Sequence, residues 1–165
     1  MRSSDTFAFA CIILLAAPVA AFVGEIRPLG AQEALAAEPV VQQRGDASFY
    51  SDKYKGMTTA NGETFSQNRL TAASRDLPLG TKAMVTNQAN GKSVEVKITD
   101  RGPYVDGRVI DLSKMAARQI GLSEKRGITP VKVEARPSSQ PTAALQEAVR
   151  RQAVAASTVT ASAEN

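Results

Sequence analysis

Residues 82–99 place the tightest limit on what this chain can fold into. They hold two runs of strand-forming residues, Lys82 to Asn87 (KAMVTN) and Ser93 to Thr99 (SVEVKIT), joined through Asn90-Gly91. An Asn-Gly pair tolerates the positive φ angles of a tight hairpin turn, so it predicts two antiparallel neighbours. Side chains alternate across a strand. Val94, Val96 and Ile98 therefore share one face, and Glu95 and Lys97 the other. Further short strands are predicted over Asp46–Tyr50 (DASFY), Arg108–Asp111 (RVID) and Val131–Ala135 (VKVEA). Ser113 can cap a helix running through Met115, Ala116 and Ile120, and Gly121 can end it. Short strands with one small helix predict a mainly β domain, a compact barrel in which closure removes exposed edges.

The chain has 165 residues, which suits one domain with tails. Residues 1–36 read as a signal peptide or an uncleaved N-terminal anchor. Arg2 precedes an apolar run from Phe7 to Val23, which Pro18 breaks. Small-x-small sites follow at Val19-Ala20-Ala21 and Ala34-Leu35-Ala36. Either outcome exports the domain to the periplasm or cell envelope, with membrane attachment only through that segment. Residues 37–43 read as a linker and residues 44–136 as the domain. Pro137-Ser138-Ser139-Gln140-Pro141 then opens a low-complexity, Ala/Ser-rich tail over 137–165. That tail is expected to be largely disordered, with at most a transient helix over Ala143–Ala156, because alanine is too small to build a core.

The sole cysteine, Cys11, lies in the leader, with too little apolar sequence before it for a lipoprotein site. Histidine is absent. A processed chain then has no Ser-His-Asp triad, no Cys-His pair, no disulfide and no histidine-ligated zinc. Acid–base chemistry falls to Asp and Glu. The formal net charge is +4. Between Arg44 and Arg136 there are 16 Lys/Arg against 10 Asp/Glu, so the domain holds the basic excess. Such a field favours anionic polymers, and export argues against nucleic acid among them.

Three stretches carry candidate chemistry. In Thr59-Ala60-Asn61-Gly62-Glu63, the Asn61-Gly62 pair makes a tight turn that projects Glu63 from a rigid loop. In Leu77-Pro78-Leu79-Gly80-Thr81, a structural turn, both leucines pack inward. In Asp100-Arg101-Gly102-Pro103-Tyr104 and Arg108-Val109-Ile110-Asp111, two carboxylates at strand ends flank Arg101 and Arg108. These residues form either a polar cluster at a cleft or a set of loop-holding hydrogen bonds.

Taken in order, ASFY, TANGE-x-F, TAAS-x-x-LPLGT, VTN-x-x-NG-x-SV, DRGPY and GRVIDLS closely resemble the RlpA-like double-psi β-barrel domain, over roughly Gly45 to Ala135. The resemblance implies a six-stranded double-psi barrel with one or two short helices. It implies an exported, endolytic peptidoglycan lytic transglycosylase that cleaves MurNAc–GlcNAc bonds. Strands stripped of stem peptides are preferred, and 1,6-anhydroMurNAc ends result. Asp100 and Glu63 match the family's catalytic carboxylates, with Asp100 the first choice for the acid. Phe49, Tyr50, Asn61, Ser74, Arg101, Tyr104, Arg108 and Asp111 are the expected substrate-binding residues. No metal or organic cofactor is implied, and a monomer is expected. Ser74 stands where the family commonly has a histidine, and Phe49 where it usually has tryptophan. Many members end in a glycan-binding SPOR domain, for which the 137–165 segment is too short and too alanine-rich. A non-catalytic glycan-binding module on the same barrel is the alternative, and a protein-interaction domain is the third reading.

Overall fold

The computed structural model describes residues 38–163. The leader, its cleavage sites and Cys11 lie outside the described residues. Six strands close into one barrel: β1 (Val41–Phe49), β2 (Thr71–Ala73), β3 (Lys82–Asn87), β4 (Ser93–Asp100), β5 (Arg108–Leu112) and β6 (Thr129–Ala135). The order around the barrel is β1-β5-β2-β4-β3-β6. Two neighbouring pairs, β1 with β5 and β2 with β4, run parallel, and the rest are antiparallel. The fold is the expected double-psi β-barrel.

The hairpin forms as predicted. Val85 pairs with Val94 and Met84 with Glu95, and Gly91 takes φ +72° in the turn. Val94, Val96 and Ile98 are buried while Glu95 and Lys97 face water. β3 and β6 alternate likewise, and the inward faces of β3 to β6 supply Val85, Ile98, Ile110, Leu112, Val131 and Val133 to one core. Burying a side chain of this size contributes roughly 1.5–3 kcal/mol. Leu77 is buried beneath the barrel and Leu79 packs partly against the core, as expected.

One boundary and one strand differ from expectation. β1 begins at Val41, so residues 41–43 are strand rather than linker. Val41 pairs with Ala135, Gln42 with Glu134 and Gln43 with Val133. The sixth strand, β2, escaped the sequence reading. It has three residues, too few to show a period. Its place comes from neighbours on both sides, β4 and β5.

Helix α1 (Lys114–Gln119) starts where predicted. The Ser113 hydroxyl oxygen accepts from the Ala116 amide at 3.2 Å, and its proton goes to the Arg69 carbonyl at 2.6 Å. Gly121 follows with φ +72°.

The tail corrects the expectation of disorder. Helix α2 (Ala143–Ala163) packs against β1 and the 3-10 turn Pro137–Ser139. Val149 and Ala153 are fully buried. Alanine does not build a core here. It lets the helix approach one that the barrel already provides, and Leu145 reaches to 3.2 Å from where a Cβ on Gly80 would stand. Gln140 anchors the turn by imitating a strand, accepting from the Lys82 amide at 2.8 Å and donating to the Lys82 carbonyl at 2.9 Å. Among the described residues, no helix is long and apolar enough to cross a membrane.

Candidate active site

A cleft of about 450 Å³ opens where the end of β1, the end of β4 and β5 meet. Its walls bring together most of the residues that the sequence singled out: Phe49, Tyr50, Asp100, Arg101, Tyr104, Arg108 and Asp111. Antiparallel and parallel pairing do this, because β5 lies between β1 and β2, and β2 lies beside β4.

Asp100 is the last residue of β4. Its Oδ1 accepts the Arg101 amide at 2.9 Å and the Ala60 amide at 3.0 Å. Its Oδ2 accepts the Tyr50 hydroxyl at 3.0 Å. The adjacent Arg101 does not pair with it. That guanidinium turns away and donates to the carbonyls of Ser74 at 3.0 Å and Leu77 at 2.6 Å. Asp100 therefore stands in the cleft held by three neutral donors.

Tyr50 is packed against Phe65, with ring centroids 4.5 Å apart, and meets the edge of Tyr54 at 5.6 Å. Burial, then the Asp100 charge and the hydrogen bond to it, push its hydroxyl far above the ordinary tyrosine range. It is a permanent neutral donor at any pH where the fold is expected to work. Tyr104 stands on the rim with 79% of its surface exposed, its ring free to lie against a ligand.

Asp111 is the second carboxylate of the cleft. It accepts the Ser48 hydroxyl on Oδ1 and pairs with Arg108 at 3.2 Å on Oδ2. Ser48 and Asp111 are register partners in the parallel β1–β5 pair. Ser48, Lys53 and Tyr54 also line the cleft, and the sequence reading missed all three. The two-residue period linking Ser48 to Tyr50 was the one local signal for Ser48. The other two sit in the 3-10 turn Asp52–Tyr54, too short to show a period. Lys53 lies over the Tyr54 ring, 5.0 Å from its centroid.

Glu63, Asn61 and Ser74 do not line this cleft. Gly62 takes φ +85° and turns the chain as predicted, but Glu63 projects elsewhere. Its carboxylate is held by Lys97, by Arg69 at 3.2 Å and by the Asn61 side-chain amide at 3.0 Å. The Lys97 hydrogen bond, then the Lys97 and Arg69 charges, hold its carboxyl below the usual range against the opposing effect of desolvation. Ser74 is buried behind Asp100. Its amide donates to the Asp100 carbonyl at 3.1 Å and its hydroxyl oxygen accepts from the Leu77 amide at 3.3 Å. A second cavity, about 310 Å³, lies across Phe49 with Ala117 and Leu122 in its walls. Its single carboxylate, Glu124, is paired with Lys114 at 3.4 Å.

The closed six-stranded barrel with an aspartate at its mouth defines a double-psi β-barrel protein. The family described as lytic transglycolase matches residues 42–133, more than half of the chain, and the chain belongs to this family as an RlpA-like member. It is 60% identical over 78 residues to the probable endolytic peptidoglycan transglycosylase RlpA of Synechocystis sp. (strain ATCC 27184 / PCC 6803 / Kazusa), covering 47% of this chain and 24% of that protein. It is 50% identical over 90 residues to the endolytic peptidoglycan transglycosylase RlpA of Pasteurella multocida (strain Pm70), covering 54% and 30%. The chain thus spans about a quarter to a third of the length of these curated relatives. Among solved structures it is similar to Streptomyces papain inhibitor (SPI), at 23% identity and a TM-score of 0.48, over 61% of this chain and 100% of that one.

Proposed function

We propose that this domain is an exported lytic transglycosylase, active on peptidoglycan glycan strands and preferring strands stripped of stem peptides. The observation that carries the reading is Asp100, a carboxyl without an ion pair among the described residues, in an aromatic-lined cleft. The names of the relatives support peptidoglycan as the substrate.

In the reaction, Asp100 in its acid form donates its proton to the glycosidic oxygen. The bond between that oxygen and the MurNAc anomeric carbon breaks, and GlcNAc leaves with a free hydroxyl. The MurNAc 6-hydroxyl then bonds to the anomeric carbon and returns a proton to Asp100, closing a 1,6-anhydro ring. No water is consumed, and one carboxyl serves as acid and then base, unlike the pair a hydrolase uses. With Oδ1 filled by two backbone amides, Oδ2, which accepts the Tyr50 hydroxyl, is the oxygen positioned to carry the proton. Phe49 and Tyr104 offer apolar faces to sugar rings, and Arg108 holds Asp111 in the opposite wall.

The test is to incubate the purified domain with peptide-free glycan strands and look for anhydro-ended fragments by mass spectrometry. General acid–base catalysis contributes roughly 10²–10⁴-fold, so Asp100→Asn should reduce fragment release by about that factor while still binding strands. Undiminished cleavage by Asp100→Asn sinks the assignment.

One observation favours a glycan-binding module instead. Glu63 is committed to two cations outside the cleft and Asp111 is paired with Arg108, which leaves Asp100 as the cleft's one carboxylate not in an ion pair among the described residues. Strand binding by the wild type with no fragments would establish that reading.

A further inference from the structure

We propose that Glu63 is a positioning residue for Asp100, clamping the 59–63 loop onto β4 so that the loop's Ala60 amide fixes the Asp100 carboxyl. Its catalytic consequence rests on the reading of Asp100 as the acid, but the clamp itself does not.

The loop makes its own shape from backbone bonds. Thr59 donates to the Glu63 carbonyl at 2.8 Å, and Gly62 donates to the Thr59 carbonyl at 2.9 Å. The Asn61 Oδ1 accepts the Thr59 hydroxyl at 2.7 Å and the Glu63 amide at 3.1 Å. This leaves the Asn61 Nδ2 to donate to Glu63 Oε1. Two backbone donors seat the loop on β4: Asn61 on the Thr99 carbonyl at 3.1 Å, and Ala60 on Asp100 Oδ1 at 3.0 Å.

The turn's own carboxylate, that of Glu63, adds ionic ties to residues outside it. One oxygen takes Lys97 from β4 and the other takes Arg69 from the segment leading into β2. Lys97 and Asp100 sit three residues apart on one strand, so the same strand receives the clamp and presents the acid. The Lys97 contact is a charge-assisted hydrogen bond, a kind roughly twice as strong as a neutral one, Arg69 adds an ion pair, and a glutamine can serve only one cation weakly. Neutralising Glu63 thus leaves the turn folded but loosens its seat. Without Ala60, Oδ1 keeps one amide, and the carboxyl can rotate and exchange its oxygens. Glu63 acts through geometry and needs no proton transfer of its own.

The experiment compares wild type, Glu63→Gln and Asp100→Ala as intact chains. Amide hydrogen exchange is recorded by NMR at one fixed pH. In the wild type, the Ala60 amide responds to its bond with Asp100 Oδ1 by slowed exchange. In Glu63→Gln that response falls to less than about half, and in Asp100→Ala it vanishes. Lys97→Met combined with Arg69→Met breaks the clamp from the other side and should repeat the Glu63→Gln result. For anhydro-product release by Glu63→Gln, kcat should fall roughly 10–100-fold, the scale of a misplaced catalytic group, with KM within about twofold. The pH profile should keep its shape. A limb lost in Glu63→Gln would make Glu63 an acid or base in its own right and overturn the proposal. A wild-type Ala60 response in Glu63→Gln would overturn it as well. A wild type that releases no product defeats the reading of Asp100, yet the amide measurement still decides the clamp.

Discussion

Asp100 and Arg101 are neighbours in the chain with unrelated fates. The carboxyl enters the cleft, and the guanidinium turns back to two carbonyls of the 74–77 turn. Tyr50, expected to touch substrate, is the hydroxyl donor to Asp100. Tyr50→Phe keeps the ring packing on Phe65 and removes that donor. Tyr50 donates to the negative charge that Asp100 takes on as it gives up its proton, and a hydrogen bond to a charged group contributes about 1.5–3 kcal/mol, so the variant should stay folded while turnover drops by roughly tenfold or more in the fragment assay. Ser74→His tests the family's histidine directly. Ser74 is 1% exposed, and a larger side chain there strains the turn behind Asp100. Overpacking of this kind costs about 1–3 kcal/mol. The variant should lose several degrees of Tm in a thermal melt, and turnover should not rise.

At the scale of elements, β2 and α2 show how context overrides composition. β2 is three small residues held by two partners, and α2 is alanine-rich yet docked. The helix also reaches the turn behind the site, since Gln152 donates to the Asp76 carbonyl at 3.1 Å. Val149→Ala removes two methyl groups from a fully buried position, a change worth about 1–3 kcal/mol including the cavity. At about 4 °C per kcal/mol or somewhat more for a domain of this size, a melt should show the loss clearly. Val154→Ala, on the half-exposed face of the same helix, should leave Tm unchanged within about 1 °C. Equal effects from the two variants would argue against docking.

For the whole molecule, charge and pH matter most. The Glu63 carboxyl is depressed in the fold by Lys97 and Arg69. A depressed carboxyl adds stability above its unfolded value, about pH 4.3, and the contribution is lost as pH falls through the folded value. Denaturant melts should therefore show wild type losing its advantage over Glu63→Gln as pH drops from about 6 to about 3. The Tyr50 hydroxyl has the opposite sign. Its value is raised, so its contribution persists below about pH 10 and fades above it. The basic excess of residues 44–136 should make binding to carboxylate-bearing glycans weaken with salt, measurable by titration between about 50 and 200 mM.

Much of the barrel was legible in the chain itself. The hairpin turn at Asn90-Gly91, the alternating faces of β4 and the Ser113 cap all follow from interactions a few residues long. There the side-chain period, a demand for positive φ and an unpaired amide leave little choice. Grouping Asp100 with Asp111 was also within reach, since both end or occupy strands of the same motif run. Their partners were not. Ser48 meets Asp111 across 63 positions, Tyr50 meets Asp100 across 50, and Ala60 meets Asp100 across 40. Those meetings exist only once β1 lies beside β5 and the 59–63 loop sits on β4. That is why the chain alone identified two candidate carboxylates, Asp100 and Glu63, and closure of the barrel placed one in the cleft and gave the other to Lys97 and Arg69.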